Sequence, residues 1–522
     1  IASAELQIIM LEQTNNRLFY LLVYSIFLAN YLLTLSNNQA IAHDGIIYAA
    51  RAKEGMWVFH PHHLLYHVFT LLVVKGVLFF FPSCEVYLIL SGINSVFGAA
   101  LVTLFCIILI EQYKFDKIQA ISASLLVAFS YGIWYYSTCV EVYIIPLFFA
   151  ALSLYFFLKN PDDYLKIALF SALATLFHQT YVFLLLVYLI SFLYSKTKFS
   201  TILKFGTLFL LLVAISYVLV LIFDYKAKSI SDAYYHLTFY AQKLPFFWSK
   251  PGVSIIFNDL VGFSRVIFSI HLLLGLDFVQ NVIYNYFPSH SFKEEFYLIR
   301  NASNGEIYFA LLLLLSLCLL FCYFFIISIK NFIKNKSLKV EKVWLISYLI
   351  FFVGFFSFWS SNNLEFWISI YFFLIIFLIV FNTNKVRYKL YLTIGILLFV
   401  FNFTSTTQFV LSSNNDFYQN KIEKLKSTIE MNDVLVIDND NYMLSDYLVY
   451  NDFKNIKEIN HLDINEENKV YFVGGFFYSN DELSDEYIKT ISELKQANKL
   501  ISININNSNI YKLHNLNKIK VQ

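Results

Sequence analysis

The chain has 522 residues, of which 58% are hydrophobic, 19% aromatic and only 14% charged. A soluble globular protein carries about a quarter charged residues, and apolar runs of about 20 residues recur along this sequence, so it reads as a polytopic helical membrane protein. A formal net charge of +2, with no Lys/Arg-rich block interleaved with aromatics, gives no footing for a nucleic-acid partner.

The first apolar run, 18–35, follows Arg17 and has no small-residue cleavage site after it, so it reads as an uncleaved first span. Next comes the polar stretch 43–66, HDGIIYAARAKEGMWVFHPHHLLY, with Asp44, Arg51, Lys53 and four histidines. Ionisable groups beside a bilayer are costly and usually mark a substrate path or a catalytic centre; an ordinary interfacial loop is the plainer reading. Segment 62–81 is long enough to cross but contains His63, His67 and Lys75. If it lies along the outer surface, every short basic loop falls on the cytoplasmic side: Lys114 and Lys117, Lys159 and Lys166, Lys196 to Lys204, the lysines of 330–342, and Lys385 to Lys389. Eleven spans follow, at 18–35, 86–110, 121–136, 142–158, 164–177, 181–194, 205–223, 307–329, 344–360, 366–381 and 390–410, with the N-terminus inside and the C-terminus outside. The outer loops 36–85 and 224–306 stand apart, the second aromatic-rich and broken by Pro245, Pro251 and Pro288. The five cysteines (Cys84, Cys106, Cys139, Cys318, Cys322) show no CxxC spacing and mostly sit in apolar runs, as buried thiols do.

From 412 the composition turns to Asn, Lys, Asp and Glu. Segments 434–438, 470–475 and 500–505 read as buried strands, with helical patterns at 445–450 and 482–497 between them. The expected architecture is an all-α membrane domain over 1–411 and a small extracytoplasmic α/β domain over 412–522. Gly474–Gly475 lacks the companions of a phosphate loop, so the second domain is assigned no chemistry.

This topology gathers Asp44, the His60–Pro61–His62–His63 cluster, Glu141, His178 and the turn before Glu365 on one outer face. Each has a plainer reading: Glu141 and Glu365 as charges at helix N-termini, His178 as the polar tip of a tight turn. His63 and His67 are i, i+4 and would share a helix face. HExxH is absent, however, so hydrogen bonding to a phosphate or sugar hydroxyl is favoured over a transition metal, and no metal ligand is assigned.

Asp44 after the first span, HPHHLLY at 60–66, WYYSTCVEVYIIPLFFAALSLY from Trp134 and ALFSALATLFHQTY ending at Tyr181 together resemble the polytopic GT-C glycosyltransferases. The similarity is to the group related to protein O-mannosyltransferases, with an acid after span one, an HPPGYPLY-like stretch, an AEVY turn and a GNHxT-like turn. His62–His63 replace the Pro-Gly pair, and Gly45–Ile46 follow Asp44 where relatives often have a second acid. The resemblance covers about 18–194 and implies an inverting transfer of mannose or another hexose from a polyprenyl-phosphate donor to a protein hydroxyl. It places the site outside the cytoplasm, at what would be a bacterial inner membrane. It implies Asp44 as general base, Glu141 binding sugar hydroxyls or orienting a histidine, and His60, His62, His63, Tyr66, Tyr143, His178 and Glu365 as substrate-binding residues. Arg265 is a further candidate cation for the phosphate, and a requirement for a divalent cation is left open. The alternatives are a transferase acting on a glycan or lipid, and a lipid-linked sugar transporter or flippase; the last predicts internal repeats and paired broken helices, and the sequence shows no repeat.

Overall fold

The computed structural model describes residues 2–42, 44–238, 248–249, 251–286, 292–334, 339–380, 388–430, 433–437, 442–453, 455–458, 463–464, 470–473, 492, 500–505, 508–513 and 519–520. From the N-terminus the helices are α1 (Ala2–Leu33), α2 (Gly45–Lys53), α3 (Tyr66–Phe80), α4 (Val86–Glu111), α5 (Lys117–Ala128), α6 (Tyr131–Thr138), α7 (Ile144–Lys159), α8 (Tyr164–Phe177), α9 (Leu184–Tyr194) and α10 (Phe199–Phe223). They continue as α11 (Ile230–Leu237), α12 (Val253–Ile267), α13 (Asp277–Tyr286), α14 (Lys293–Leu298), α15 (Asn304–Lys334), α16 (Val340–Phe358), α17 (Leu364–Val380), α18 (Tyr388–Asn402), α19 (Gln419–Thr428) and α20 (Tyr442–Tyr450).

Helices predominate because lipid offers the backbone no hydrogen bonds, so a crossing segment must satisfy its own. Among the described residues six helices are long and apolar enough to span: Asn15–Leu33, Val86–Gln112, Phe199–Phe223, Asn304–Lys334, Val340–Phe358 and Tyr388–Val410. On α10 the side chains of Leu203, Leu210, Leu211, Ile215, Leu219 and Ile222 stand exposed, and only 11% of its apolar window is buried. So large an exposed apolar face needs lipid against it; the chain is an integral, multi-pass membrane protein. The pair α5–α6 adds a seventh span if its 72° bend is counted as one crossing. The expected number of eleven is reached only by adding the short apolar helices Ile144–Lys159, Tyr164–Phe177, Gln179–Tyr194 and Leu364–Val380. Segment 62–81 becomes the short helix α3.

The chain clusters into two compact units, the first comprising Ile1–Ser36, Gly55–Leu273 and Ala302–Gln408, the second Asn37–Glu54, Leu274–Asn301 and Phe409–Gln522. The core of the first is aromatic, with Trp134, Trp344, Tyr31, Tyr66 and Tyr188 wholly buried. Its buried polar side chains serve backbone groups that helix breaks leave open. At the α5–α6 bend Ser130 is extended, and the carbonyl of Phe129 accepts from Asn402 Nδ2 at 2.7 Å. At the α6–α7 break the carbonyls of Cys139 and Glu141 accept from Asn94 Nδ2 at 2.8 and 2.7 Å. Each such bond contributes about 1 kcal/mol net, but removing it strands a buried carbonyl at a larger cost.

The second unit holds α2, α13, α14, α19 and α20 and the strands β1 (Val434–Ile437), β2 (Ile456–Glu458), β3 (Asp463–Ile464), β4 (Val470–Val473), β5 (Leu500–Ile505), β6 (Ser508–Leu513) and β7 (Ile519–Lys520). Five form a mixed sheet in the order β2-β1-β4-β6-β5, with β1 parallel to both neighbours and β6 antiparallel to both of its own. All four residues of β1 are buried. The strands expected at 434, 470 and 500 start at those positions, and the helix expected at 445–450 is α20; the helical pattern at 482–497 lies outside the described residues. The domain boundary expected at 412 departs from the contact units, because 37–54 and 274–301 cluster with 409–522. The physical reason is a set of long-range bonds: α2 packs on α20, and Lys53 Nζ meets Asp452 at 2.8 Å and the carbonyl of Tyr450 at 2.7 Å.

Candidate active site

The stretch His60–Pro61–His62–His63 forms a turn closed by His63 N–H to the His60 carbonyl at 3.0 Å, with Pro61 where the second position of a turn favours proline. Four bonds fix this turn within the first unit. The Tyr217 hydroxyl donates to the Pro61 carbonyl (2.7 Å) and Tyr225 to that of Phe59 (2.6 Å). Gln179 N–H donates to the His62 carbonyl (2.9 Å), and Leu65 N–H to that of Leu176 (3.0 Å).

The histidines are thereby packed ring on ring. His60 stacks on His63 at 5.2 Å between centroids, His62 meets His60 edge-on at 5.4 Å, and His63 contacts His178 at 5.0 Å. His178 caps the end of α8, shares a hydrogen bond with Thr180 Oγ1 at 2.7 Å, and packs against Tyr143 at 5.4 Å. Burial pushes His62 down to about 4 and His178 to about 3, and drives His63 well below the ordinary imidazole range, each with neighbouring histidines or burial alone as the cause. Neutral imidazoles each offer one donor and one acceptor. His63 Nδ1 is buried with no hydrogen-bond partner among the described residues, and a buried polar atom left unpaired costs about 1–3 kcal/mol.

The carboxylates come from two helix breaks. Glu141, buried between α6 and α7, takes the Val142 N–H on its own Oε2 at 3.3 Å. Glu365, in the first turn of α17, accepts from Asn363 Nδ2 at 2.7 Å. Both lie within electrostatic reach of the Tyr136 hydroxyl. Tyr143, His178, Thr180, Tyr181, Glu365 and Ser369 line a narrow cleft together with Phe356, Phe366 and Ile368. Tyr66 is wholly buried, within reach of Glu141 rather than of solvent.

The structure thus brings together His60, His62, His63, Tyr66, Tyr143, Glu141, His178 and Glu365 in the first unit. Asp44 belongs to the second unit. It is exposed, precedes α2 and accepts from the Tyr48 hydroxyl at 3.2 Å. Its charged neighbourhood includes Arg51 and Asp446, whose carboxyl burial raises to about 6, with Asp44 adding and Arg51 opposing. Arg265, at the last turn of α12, has the buried His271 beside it. Sequence reasoning missed Ser369, which reaches its place only through folding; Thr180 was legible, as part of HQT. Among the described residues no three His, Cys, Asp or Glu side chains are grouped to hold a metal ion.

No family model matches the sequence, and no curated protein matches it. Among solved structures the chain is similar to ArnT from Cupriavidus metallidurans bound to undecaprenyl phosphate, at 8% identity and a TM-score of 0.51, covering 96% of this chain and 98% of that one. The same protein in the apo state matches at 8% identity and a TM-score of 0.50, over 94% and 97% of the two chains. At this identity the likeness is one of fold. The chain has an ArnT-like fold along nearly its whole length.

Proposed function

We propose that this protein is an inverting membrane glycosyltransferase that moves a hexose from a polyprenyl-phosphate donor to a hydroxyl on a protein acceptor. The observation that carries the reading is the cluster of neutral imidazoles around the unpartnered His63 Nδ1, in a chain with the fold of a protein that binds undecaprenyl phosphate. His60, His62, His63 and His178 supply donors to the phosphate that becomes the leaving group. An anion entering among them raises their proton affinity, so the site gains charge complementarity as it fills. Glu141 and Glu365 accept from sugar hydroxyls, and Tyr143 offers a ring face to the sugar. Asp44 takes the acceptor's proton as its oxygen bonds to the anomeric carbon and the carbon–phosphate oxygen bond breaks. The topology is the eleven-span arrangement with the N-terminus inside, α3 lying along the outer surface and the short helices α7, α8, α9 and α17 crossing.

The bend between α5 and α6 favours a second reading, a transporter of lipid-linked sugar, since transporters use broken helices. One experiment separates the two. The purified protein, given a panel of polyprenyl-phosphate sugars with hydroxyl acceptors in detergent, consumes one donor and forms glycosylated product with no membrane present; no consumption sinks the transferase reading. Asp44→Asn keeps the wild-type melting temperature and donor binding but slows single-turnover transfer by about two to four orders of magnitude. Turnover within about threefold of wild type removes Asp44 as the base.

A further inference from the structure

Asp416 is wholly buried, and its carboxylate is the hub of five hydrogen bonds inside the second unit. The N–H groups of Gln39 and Ala40 donate to Oδ2 at 2.6 and 3.2 Å, and the Tyr447 hydroxyl donates to the same oxygen at 2.8 Å. The N–H groups of Tyr418 and Gln419 donate to Oδ1 at 2.9 and 2.8 Å. Three stretches of chain meet at this one side chain: the loop before α2, the start of α19, and α20. The neighbours repeat the connection. Asn38 Nδ2 donates to the Asn415 carbonyl at 2.8 Å, Asn37 Nδ2 to that of Leu411 at 2.7 Å, and the backbone N–H groups of both to that of Val410 at 2.8 and 3.1 Å. Asn38 Oδ1 in turn closes the loop on itself by accepting from Ala40 and Ile41. At the far end of α2, Lys53 is tied to Asp452.

A carboxylate is a costly device for ordering a loop. Removing it from water is costly unless its lone pairs are filled, and here burial pushes the carboxyl up while the bonds from Gln419, Gln39, Tyr447 and Tyr418 oppose. What it supplies is charge-assisted bonds, about twice as strong as neutral ones, to two successive backbone amides a few residues before Asp44.

We infer that Asp416 is a positioning residue for Asp44: it clasps the loop 37–40 to α19 and α20 and so fixes where Asp44 and α2 begin. The inference rests on the reading of Asp44 as the base. It gives the C-terminal part of the chain a role in the chemistry, where the sequence alone assigned it none.

The test uses the whole 522-residue chain and four variants, three around Asp416 and Asp44→Asn. Asp416→Asn keeps the shape but turns an N–H toward the donors on one of its two oxygens and takes the charge from all five bonds, and Asn38→Ala loosens the loop from its own side, leaving Asp416 intact. Both lower kcat about 10- to 100-fold, as small misplacements of a reacting group do, with KM for the polyprenyl-phosphate sugar unchanged, and both speed hydrogen exchange at the Gln39 and Ala40 amides. Tyr447→Phe removes one bond from the same carboxylate without touching the loop; it lowers the melting temperature and keeps kcat within about threefold. If Asp416→Asn fails to fold, Asn38→Ala decides. Wild-type kcat in the foldable loop variants, alongside a slow Asp44→Asn, overturns the positioning role and leaves the base. A wild-type rate for Asp44→Asn overturns the base, and the positioning role with it, whatever the exchange data show.

Discussion

At the scale of single residues the candidate site depends on histidines that stay neutral. His178 shows the consequence for stability. Its folded value of about 3 lies below the ordinary 6.5 because the ring is buried, with His62 adding. Between those values an unfolded chain binds a proton that the folded chain refuses, so this contribution to stability is present above about pH 6.5 and is lost as pH falls toward 3. The linkage amounts to at most about 5 kcal/mol. The melting temperature therefore drops on acidification from pH 7 to pH 4, and drops less steeply in His178→Gln; parallel curves would show that the ring does not carry the effect. The residues of this site were legible where they form contiguous strings: HPHH, EVY and HQT each name their own turn. Ser369 was not, because a lone Ser in a helix has no signature until the fold chooses its neighbours.

At the scale of elements, the six full-length spans were legible because length and hydropathy suffice to name them. The α5–α6 bend was not, since its cause is distant: the carbonyl of Phe129 can leave the helix because Asn402, far along the chain, accepts the burden of bonding it. Close approach between helices is likewise written in glycines whose partners the sequence hides. Gly262 on α12 lies where a Cβ would collide with the Ser361 carbonyl and the Trp367 indole, and Trp367 Nε1 donates to that same carbonyl at 2.8 Å. Asp259, one turn earlier, accepts from Ser357 Oγ at 2.7 Å, so α12 is already held against the end of α16. Gly262→Ala thus pushes on the turn that leads to Glu365. It costs about 1–3 kcal/mol of stability. Gly354 on α16 has nothing within 4 Å of a built Cβ, and Gly354→Ala should be neutral or stabilising by up to about 1 kcal/mol. Melting temperatures of the pair, measured in one detergent, check the contrast; an unaltered Gly262→Ala would mean that the helices can slide apart at no cost.

At the scale of the whole molecule, composition divides the sequence at 412, whereas contacts divide it into units that each gather distant segments. A composition break marks where lipid-facing sequence stops, but it carries no information about which earlier loops return to pack against the polar remainder. Residues 37–54 supply Gln39, Ala40 and Lys53 to the second unit. Residues 274–301 supply Glu294, which accepts from the Tyr418 hydroxyl at 2.9 Å in a buried contact, and Arg300, which donates to the Asn414 carbonyl at 2.8 Å. Tyr297 packs edge-on against Phe417 at 5.4 Å. A fragment of residues 412–522 loses all of these at once. Asp416 is left without two of its five donors, and α20 loses the helix α2 that packs on it. Stability of a small domain is a few kcal/mol, and a stranded buried carboxylate alone removes a comparable amount. The isolated fragment should therefore show no cooperative thermal transition by circular dichroism and little exchange protection in Val434–Ile437. Covalent joining of 37–54 and 274–301 to it through flexible linkers should restore both, because each added segment brings back its bonds without the membrane helices. A cooperative melt in the bare fragment, with β1 as protected as in the full chain, would place the folding boundary at 412 after all and reduce the returning loops to surface contacts.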